Sequence, residues 1–339
     1  PDAMRYSTRD LLLVTVIVVL MTATDSAAPA DDAAPTAKAF EPYLKWLTDD
    51  TETLLGAQDL RIPSRQEQVI KGDKVDFVQL TRTLVAGDIT LLGEGKVWEP
   101  LANRKVKLVL SGGRNYDGVS NFGGHRNEGC TILVMKDELP EGGEAWIKGI
   151  RASAKEVRKI GGREVLVFPS MVEMEAIFKL KPWQGTFIVL LNPKTILCAT
   201  SDAYLEEVLD RVDHPIEGVS PLAQRQEWKY VDPNSAAFMV RRVPDRQTPR
   251  PLQGIVWNQS KQEAKITYLP SPKNVSAVEK YARARWSKEF IHRDVKYERM
   301  GADAITATFS TDGFKTVEAF LPSLGLNYAQ GESGEEIGE

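Results

Sequence analysis

The stretch Phe187-Ile188-Val189-Leu190-Leu191-Asn192-Pro193-Lys194-Thr195-Ile196-Leu197-Cys198-Ala199-Thr200-Ser201-Asp202 decides how this chain is read. Phe187–Leu191 and Thr195–Ala199 are short apolar runs bounded by turn residues, the pattern of buried strands. Asn192-Pro193-Lys194 turns the chain between them, because Pro presets φ and Asn can bond its own backbone. Thr200-Ser201-Asp202 supplies oxygens that accept the first free N–H groups of a helix. The helix follows, with Leu205, Val208, Leu209 and Val212 at i, i+3, i+4 and i+7. Its acids Glu206, Glu207 and Asp210 lie off that stripe and read as solvated charge.

On the N-terminal side of this unit, Thr131–Met135 reads as a strand. Glu141–Ser153 reads as a helix, with Ala145, Trp146, Ile147 and Ile150 near one face. Val157–Ile160 and Val165–Phe168 pair across Gly161-Gly162, a strong hairpin signal. Residues 169–184 form a loop. Further back, Phe40–Leu47 is a short amphipathic segment, Thr51–Ala57 opens a first strand, and Val106–Leu110 is another. Ile89–Leu92 reads as a strand, and Val75–Leu84 as a strand or a short helix.

On the C-terminal side, Asp213–Ser235 carries Pro215, Pro221 and Pro233 and reads as a linker. Ala236–Val243, Gly254–Trp257 and Ala264–Leu269 follow as strands. Val275, Val278, Ala282 and Trp286 stripe a helix. Val295–Met300 and Ala304–Phe309 make a hairpin around Gly301, and Phe314, Val317, Leu321 and Leu324 stripe a last helix. The expected organisation is a domain over 40–212, a linker over 213–235, a second domain over 236–326 and a disordered tail over 327–339. A hairpin followed by a helix recurs three times. Two of these steps place Ser, Thr and Asp between strand and helix, at Thr200-Ser201-Asp202 and Ser310-Thr311-Asp312. Repeated ββα steps predict an α+β fold, with largely antiparallel sheets and helices packed on one face.

The 339 residues are 42% hydrophobic and 27% charged, ordinary globular composition. The net charge of −4 gives no general basic excess to hold a polyanion, which argues against nucleic acid as a partner. Residues 1–30 read as a secretory signal peptide: Met4 as the natural start, with 1–3 extraneous, Arg5 and Arg9 as the basic region, and an apolar core over Leu11–Ala23. Ala28-Pro29-Ala30 is the expected cleavage site before Asp31. An uncleaved leader would instead tether the protein outside the membrane. Residues 31–39 read as a disordered spacer. Export permits a disulfide between the two cysteines, Cys130 and Cys198, which would contribute about 4 kcal/mol through its long loop. The apolar runs around both favour two buried free thiols on neighbouring strands.

Arg5-Tyr6-Ser7-Thr8-Arg9-Asp10-Leu11-Leu12 resembles the export leaders of planctomycete proteins. Gly112-Gly113-Arg114-Asn115-Tyr116, Glu128-Gly129-Cys130, Ala199–Leu205 and Glu227–Asp232 resemble a group of uncharacterised exported proteins of those bacteria. The resemblance covers most of the chain after Phe40. It implies an extracytoplasmic, α+β protein, and it carries no established activity.

The chemistry-bearing motifs are few. There is no G-x-S-x-G elbow, S-x-x-K, H-E-x-x-H or Walker A loop. Ser111–Gly129 is the most unusual segment, with six glycines beside Arg114, Asp117, His125, Arg126 and Glu128. These five are the candidate ligand-binding residues, since permissive backbone lets a ligand approach closely. His125, Glu128 and Cys130 are metal-ligating types, but they crowd one loop without a fourth ligand, so no metal and no cofactor are expected. Arg241, Arg242, Arg246 and Arg250 form a candidate contact for an anionic surface. The expected function is a non-catalytic binding or scaffolding protein of the cell envelope, whose partner is an envelope polymer, a lipid surface or another protein. The alternative is a hydrolase or other enzyme with an unsignatured carboxylate or loop site.

Overall fold

The apolar runs become strands of one sheet in the computed structural model, which describes residues 36–62, 70–71, 74–75, 95–115, 127–168, 185–242, 252–260, 263–288, 295–301 and 303–310. The strands are β1 (Thr53–Arg61), β2 (Ile70–Lys71), β3 (Lys74–Val75), β4 (Lys105–Asn115), β5 (Asn127–Met135), β6 (Glu156–Ile160) and β7 (Arg163–Phe168). They continue as β8 (Thr186–Asn192), β9 (Thr195–Ala199), β10 (Ala237–Arg242), β11 (Leu252–Gln259), β12 (Glu263–Pro270), β13 (Lys296–Met300) and β14 (Ala304–Ser310). The helices are α1 (Thr36–Leu44), α2 (Gly95–Trp98), α3 (Glu144–Arg151), α4 (Asp202–Asp213), α5 (Pro221–Gln224) and α6 (Val275–Lys288). Twelve strands form a single sheet in the order β13-β14-β12-β11-β10-β1-β4-β5-β9-β8-β7-β6, and β2 pairs with β3 apart from it. Every pairing among the described residues is antiparallel.

This architecture corrects the expected fold class. In place of an α+β fold with helices on one face, the described residues form mostly one large antiparallel sheet of twelve strands with few short helices. The physical reason lies in strands such as β9, whose five residues are all buried. A strand that is apolar on both faces must be covered on both. On one face Ile196 and Cys198 of β9 join Leu133 of β5, Met239 of β10, Trp146 and Ile150 of α3, and Val278 and Ala282 of α6. On the other, Leu197 and Ala199 join Ile132, Phe238, Phe40 and Leu44 of α1, and Leu205, Val208 and Leu209 of α4. We call these the α3/α6 face and the α1/α4 face.

The two halves of the chain lay down strands alike. From the middle outward the first half runs β1-β4-β5-β9-β8 and the second β10-β11-β12-β14-β13. In each, the third strand pairs with the last, and the penultimate strand lies outside it. The helices after the third strands, α3 and α6, pack on the same face. The first half adds the hairpin β6–β7 at its margin, closed by Gly161 and Gly162 at positive φ as a tight turn requires. The two margins of the sheet carry charge that discourages edge pairing: Arg158 and Lys159 on β6, Lys296, Glu298 and Arg299 on β13.

The halves meet where β1 pairs β10, with Gly56 opposite Phe238. Phe238 lies over Gly56, where a Cβ would come within 2.3 Å of the ring. Phe40 and Trp228 meet the same ring edge-on, at centroid distances of 5.0 and 5.5 Å. The 213–235 segment, read as a linker, buries Leu222, Trp228 and Val231 on the α1/α4 face. The strand expected over Ile89–Leu92 and the helix expected after Phe314 lie outside the described residues.

Gly56→Ala is expected to lower stability by about 1–3 kcal/mol through overpacking of Phe238. The check is a urea midpoint, with Phe238→Leu in the same chain recovering part of the loss. A midpoint unmoved by Gly56→Ala would contradict this seam.

Candidate functional site

Arg114 and Glu128 were singled out in the sequence as loop residues. In the structure they are strand residues, because β4 and β5 extend into the glycine-rich segment from both sides. They are register partners. Alternation along β4 puts Arg114 on the face of Leu108 and Leu110, and along β5 it puts Glu128 on the face of Cys130 and Ile132. Both are buried. Arg114 Nε and Nη2 donate to Glu128 Oε2 at 3.1 and 2.9 Å. Its Nη2 also donates to Glu207 Oε1 at 2.7 Å, and Nη1 to Asp50 Oδ2 at 3.1 Å and Glu207 Oε2 at 3.0 Å. Every nitrogen of the guanidinium is therefore committed to a carboxylate.

The helix start beside this cluster explains its geometry. Ser201 caps α4, accepting the Tyr204 N–H at 3.1 Å, and its hydroxyl donates to Glu128 Oε1 at 3.1 Å. One turn on, the Tyr204 ring packs 4.6 Å from the Arg114 guanidinium carbon. The Tyr204 hydroxyl meets the Thr51 hydroxyl at 3.2 Å and accepts from Thr48 at 3.3 Å. The strand-to-helix turn, the strap after α1 and the β4–β5 pair thus share one polar network. Arginines hold the strap at two further points. Arg211 donates to the Leu47 carbonyl and to Asp49 Oδ1, each at 2.8 Å, and Arg225 donates to the carbonyls of Asp49 and Thr51.

Electrostatics follow from this packing. Burial would lower the Arg114 pKa, but its bonds to Glu207 and Glu128 and the charge of Asp50 more than offset it, so the group is more firmly protonated than an ordinary Arg. Burial would raise Asp50, yet the Thr48 hydroxyl and Arg114 outweigh it and hold the carboxyl below the usual range.

The remaining predicted residues do not join this cluster. Asp117, His125 and Arg126 lie outside the described residues, as do Arg246 and Arg250. Arg241 and Arg242 are consecutive on β10, so they leave opposite faces of the sheet. Arg242 falls on the α1/α4 face, where its charge helps burial to lower the Arg225 pKa. Cys130 and Cys198 are both buried and free. They sit on paired strands, with Cys130 opposite Ala199 and Thr131 opposite Cys198, so their thiols point to opposite faces. Burial pushes the Cys130 thiol up to about 12 and the Cys198 thiol well above its usual value. Among the described residues no group of His, Cys, Asp and Glu is arranged to hold a metal. Asp50, Ser201, Tyr204 and Glu207 were not legible as site residues. Glu207 is three residues after Tyr204, which puts it on the Tyr204 side of the helix, but only the fold brings Arg114 there.

The other side of the same strands is different in kind. Opposite Arg114 and Glu128, the α3/α6 face carries a transverse row: Arg241 of β10, Thr53 of β1, Gly113 of β4 and Gly129 of β5, in mutual register. Thr200 closes the row, its Oγ1 accepting the Gly129 N–H at 2.9 Å. All five residues are half-buried. Behind the row, Ser111 and Thr131 share a hydroxyl–hydroxyl bond of 2.9 Å.

No known family model matches the chain, and no curated protein or solved structure matches it either.

Glu128→Ala removes the one buried carboxylate bonded to Arg114, with Asp50 and Glu207 still in place, and is expected to cost about 1–3 kcal/mol, read from denaturant unfolding. The Asp50 carboxyl is depressed in the folded state, so its contribution is present above the ordinary value of 3.8 and is lost as pH falls through the lower folded value. The stability gap between the wild type and Asp50→Asn should therefore close below pH 3.8; a gap that widens on acidification contradicts the ion pair. Thiol titration without reductant should find Cys130 and Cys198 unreactive in the native protein and both reactive in denaturant.

Proposed function

We propose that this chain is an exported, non-catalytic protein that binds or scaffolds a component of the cell envelope. The observation that carries the reading is the closure of the Arg114 network. The one buried carboxylate of that cluster, Glu128, takes hydrogen bonds from Arg114 and Ser201. A general acid or base needs a free reach to substrate and a pKa tuned toward working pH. Asp50 is tuned the opposite way, toward a permanent anion. The network works as a clasp between strap, sheet and helix.

Support for export comes from the leader pattern in residues 4–30 and from the resemblance to exported planctomycete proteins. Among the described residues no helix is long and apolar enough to cross a membrane. A binder fits a large two-faced sheet whose described residues bring together no paired nucleophile and base.

Co-sedimentation of the purified protein with isolated cell envelopes tests the reading. Retention should persist in Asp50→Asn and Glu207→Gln, which change the two exposed carboxylates of the clasp. Turnover of a generic ester, glycoside or peptide substrate that Asp50→Asn or Glu207→Gln abolishes, with folding intact, would establish the enzyme alternative.

A further inference from the structure

We propose that Glu227 and Arg242, on the α1/α4 face at the end of β10, form a binding site for a neutral glycan and take two adjacent hydroxyls of one sugar ring. This rests on the binding reading above and names its site and ligand class. The starting point is a buried charge. Glu227 opens the short turn Glu227–Tyr230 after α5 and is only 7% exposed. Among the described residues, no donor and no cation bonds its carboxylate. Its oxygens are nevertheless not sealed from solvent. A carboxylate held this deep without donors is costly, and a ligand that supplies them accounts for it.

The sheet makes room for this side chain. Glu227 lies on Gly254 of β11, where a Cβ would come within 2.8 Å of Glu227 Cγ and 3.3 Å of Oε1. The register of β11 shifts beside it, between Leu252 and Gly254. Such bulges gather next to sites because they re-aim side chains. The register partner of Gly254 on β10 is Arg242, so Arg242 leaves the face on which Glu227 lies. Arg242 is exposed, and no carboxylate of the described residues pairs with it. Arg225 stands near both, but its guanidinium is spent on the carbonyls of Asp49 and Thr51.

These charges select the ligand. A carboxylate only accepts and a guanidinium only donates, so the ligand must donate to Glu227 and accept from Arg242. A cation would be repelled by Arg225 and Arg242, and an anion by Glu227. A backbone amide brings one N–H. Vicinal hydroxyls bring two donors for the two carboxylate oxygens, and their lone pairs face the guanidinium.

The test is isothermal titration calorimetry with cellohexaose, mannohexaose and xylohexaose. Polygalacturonate, a chitosan hexamer and a blocked tetraalanine peptide serve as anionic, cationic and peptide controls. Wild type should bind at least one neutral hexasaccharide more tightly than any control, with little dependence on salt. Binding to none of the three, or a control that binds as well, overturns the site. Glu227→Gln should lose about tenfold in affinity, with a thermal midpoint at or above wild type because a buried charge without donors is gone. Arg242→Gln, at an exposed position, should keep the midpoint and also lose about tenfold, and it decides the matter if Glu227→Gln does not fold. Full affinity in either folded variant overturns the site. Envelope retention that survives both variants overturns the site as the envelope contact and leaves the binding reading standing. Absence of envelope retention by wild type overturns that reading, while sugar binding lost in Arg242→Gln upholds the site.

Discussion

The pairing of β1 with β10 is the constraint on which the rest of this structure depends. Each half of the chain, taken alone, would end in an open strand edge carrying apolar residues on both faces: Leu54 and Ala57 on β1, Phe238 and Met239 on β10. Such an edge is a template for association. Pairing the two edges antiparallel removes both at once and gives the sheet its mirrored strand order. It also fixes side-chain traffic across the seam. Phe238 can lie flat on β1 only because Gly56 stands opposite it, and Phe40 and Trp228 then close over that ring from α1 and from the segment after α5.

The strap after α1 is the second dependency, and it is polar. Its carbonyls and carboxylates are held by Arg114, Arg211 and Arg225, which come from β4, from α4 and from the residue after α5. Surface ion pairs contribute little by themselves. Here one member, Arg114, is only 5% exposed, so its partners must be in place for the burial to be tolerated. The clasp therefore specifies where α1 docks, and with it the lid over Phe238.

The two faces of β4 and β5 divide the labour of the glycine-rich segment. On one face Gly112 is a socket for Leu47, and Arg114 and Glu128 complete the clasp. On the other, a Cβ at Gly113 would meet the Glu128 carbonyl at 3.6 Å, and one at Gly129 would crowd the Gly112 carbonyl at 3.2 Å. The segment looked in sequence like a single loop-borne site. The pleat sends its residues alternately to the two faces of the sheet, and only residue parity tells which is which.

Local pattern was enough for what depends on neighbours in the chain. The apolar runs at 187–191 and 195–199, the Gly161-Gly162 hairpin, the Ser201 cap and the stripe Leu205–Val208–Leu209 are all short-range chemistry, and the elements form where those signals lie. Long-range pairing was not legible. The repeated hairpin-then-helix steps suggested an α+β fold of antiparallel sheets with helices on one face, whereas the steps join edge to edge in one sheet with helices on both faces. Nothing local to β1 says that its partner lies nearly two hundred residues away, because strand edges carry generic backbone donors and acceptors. The candidate residues divided the same way. Arg114 and Glu128 stood out by composition, but Asp50, Ser201 and Glu207 joined them through register and helix docking. Sequence by itself determined those described strands and helices that local signals mark, and the glycine-rich composition of 111–129. Tertiary structure alone decided which strands pair, which side each charge faces and which glycines a neighbouring side chain fills, since those follow from contacts between residues far apart in the chain.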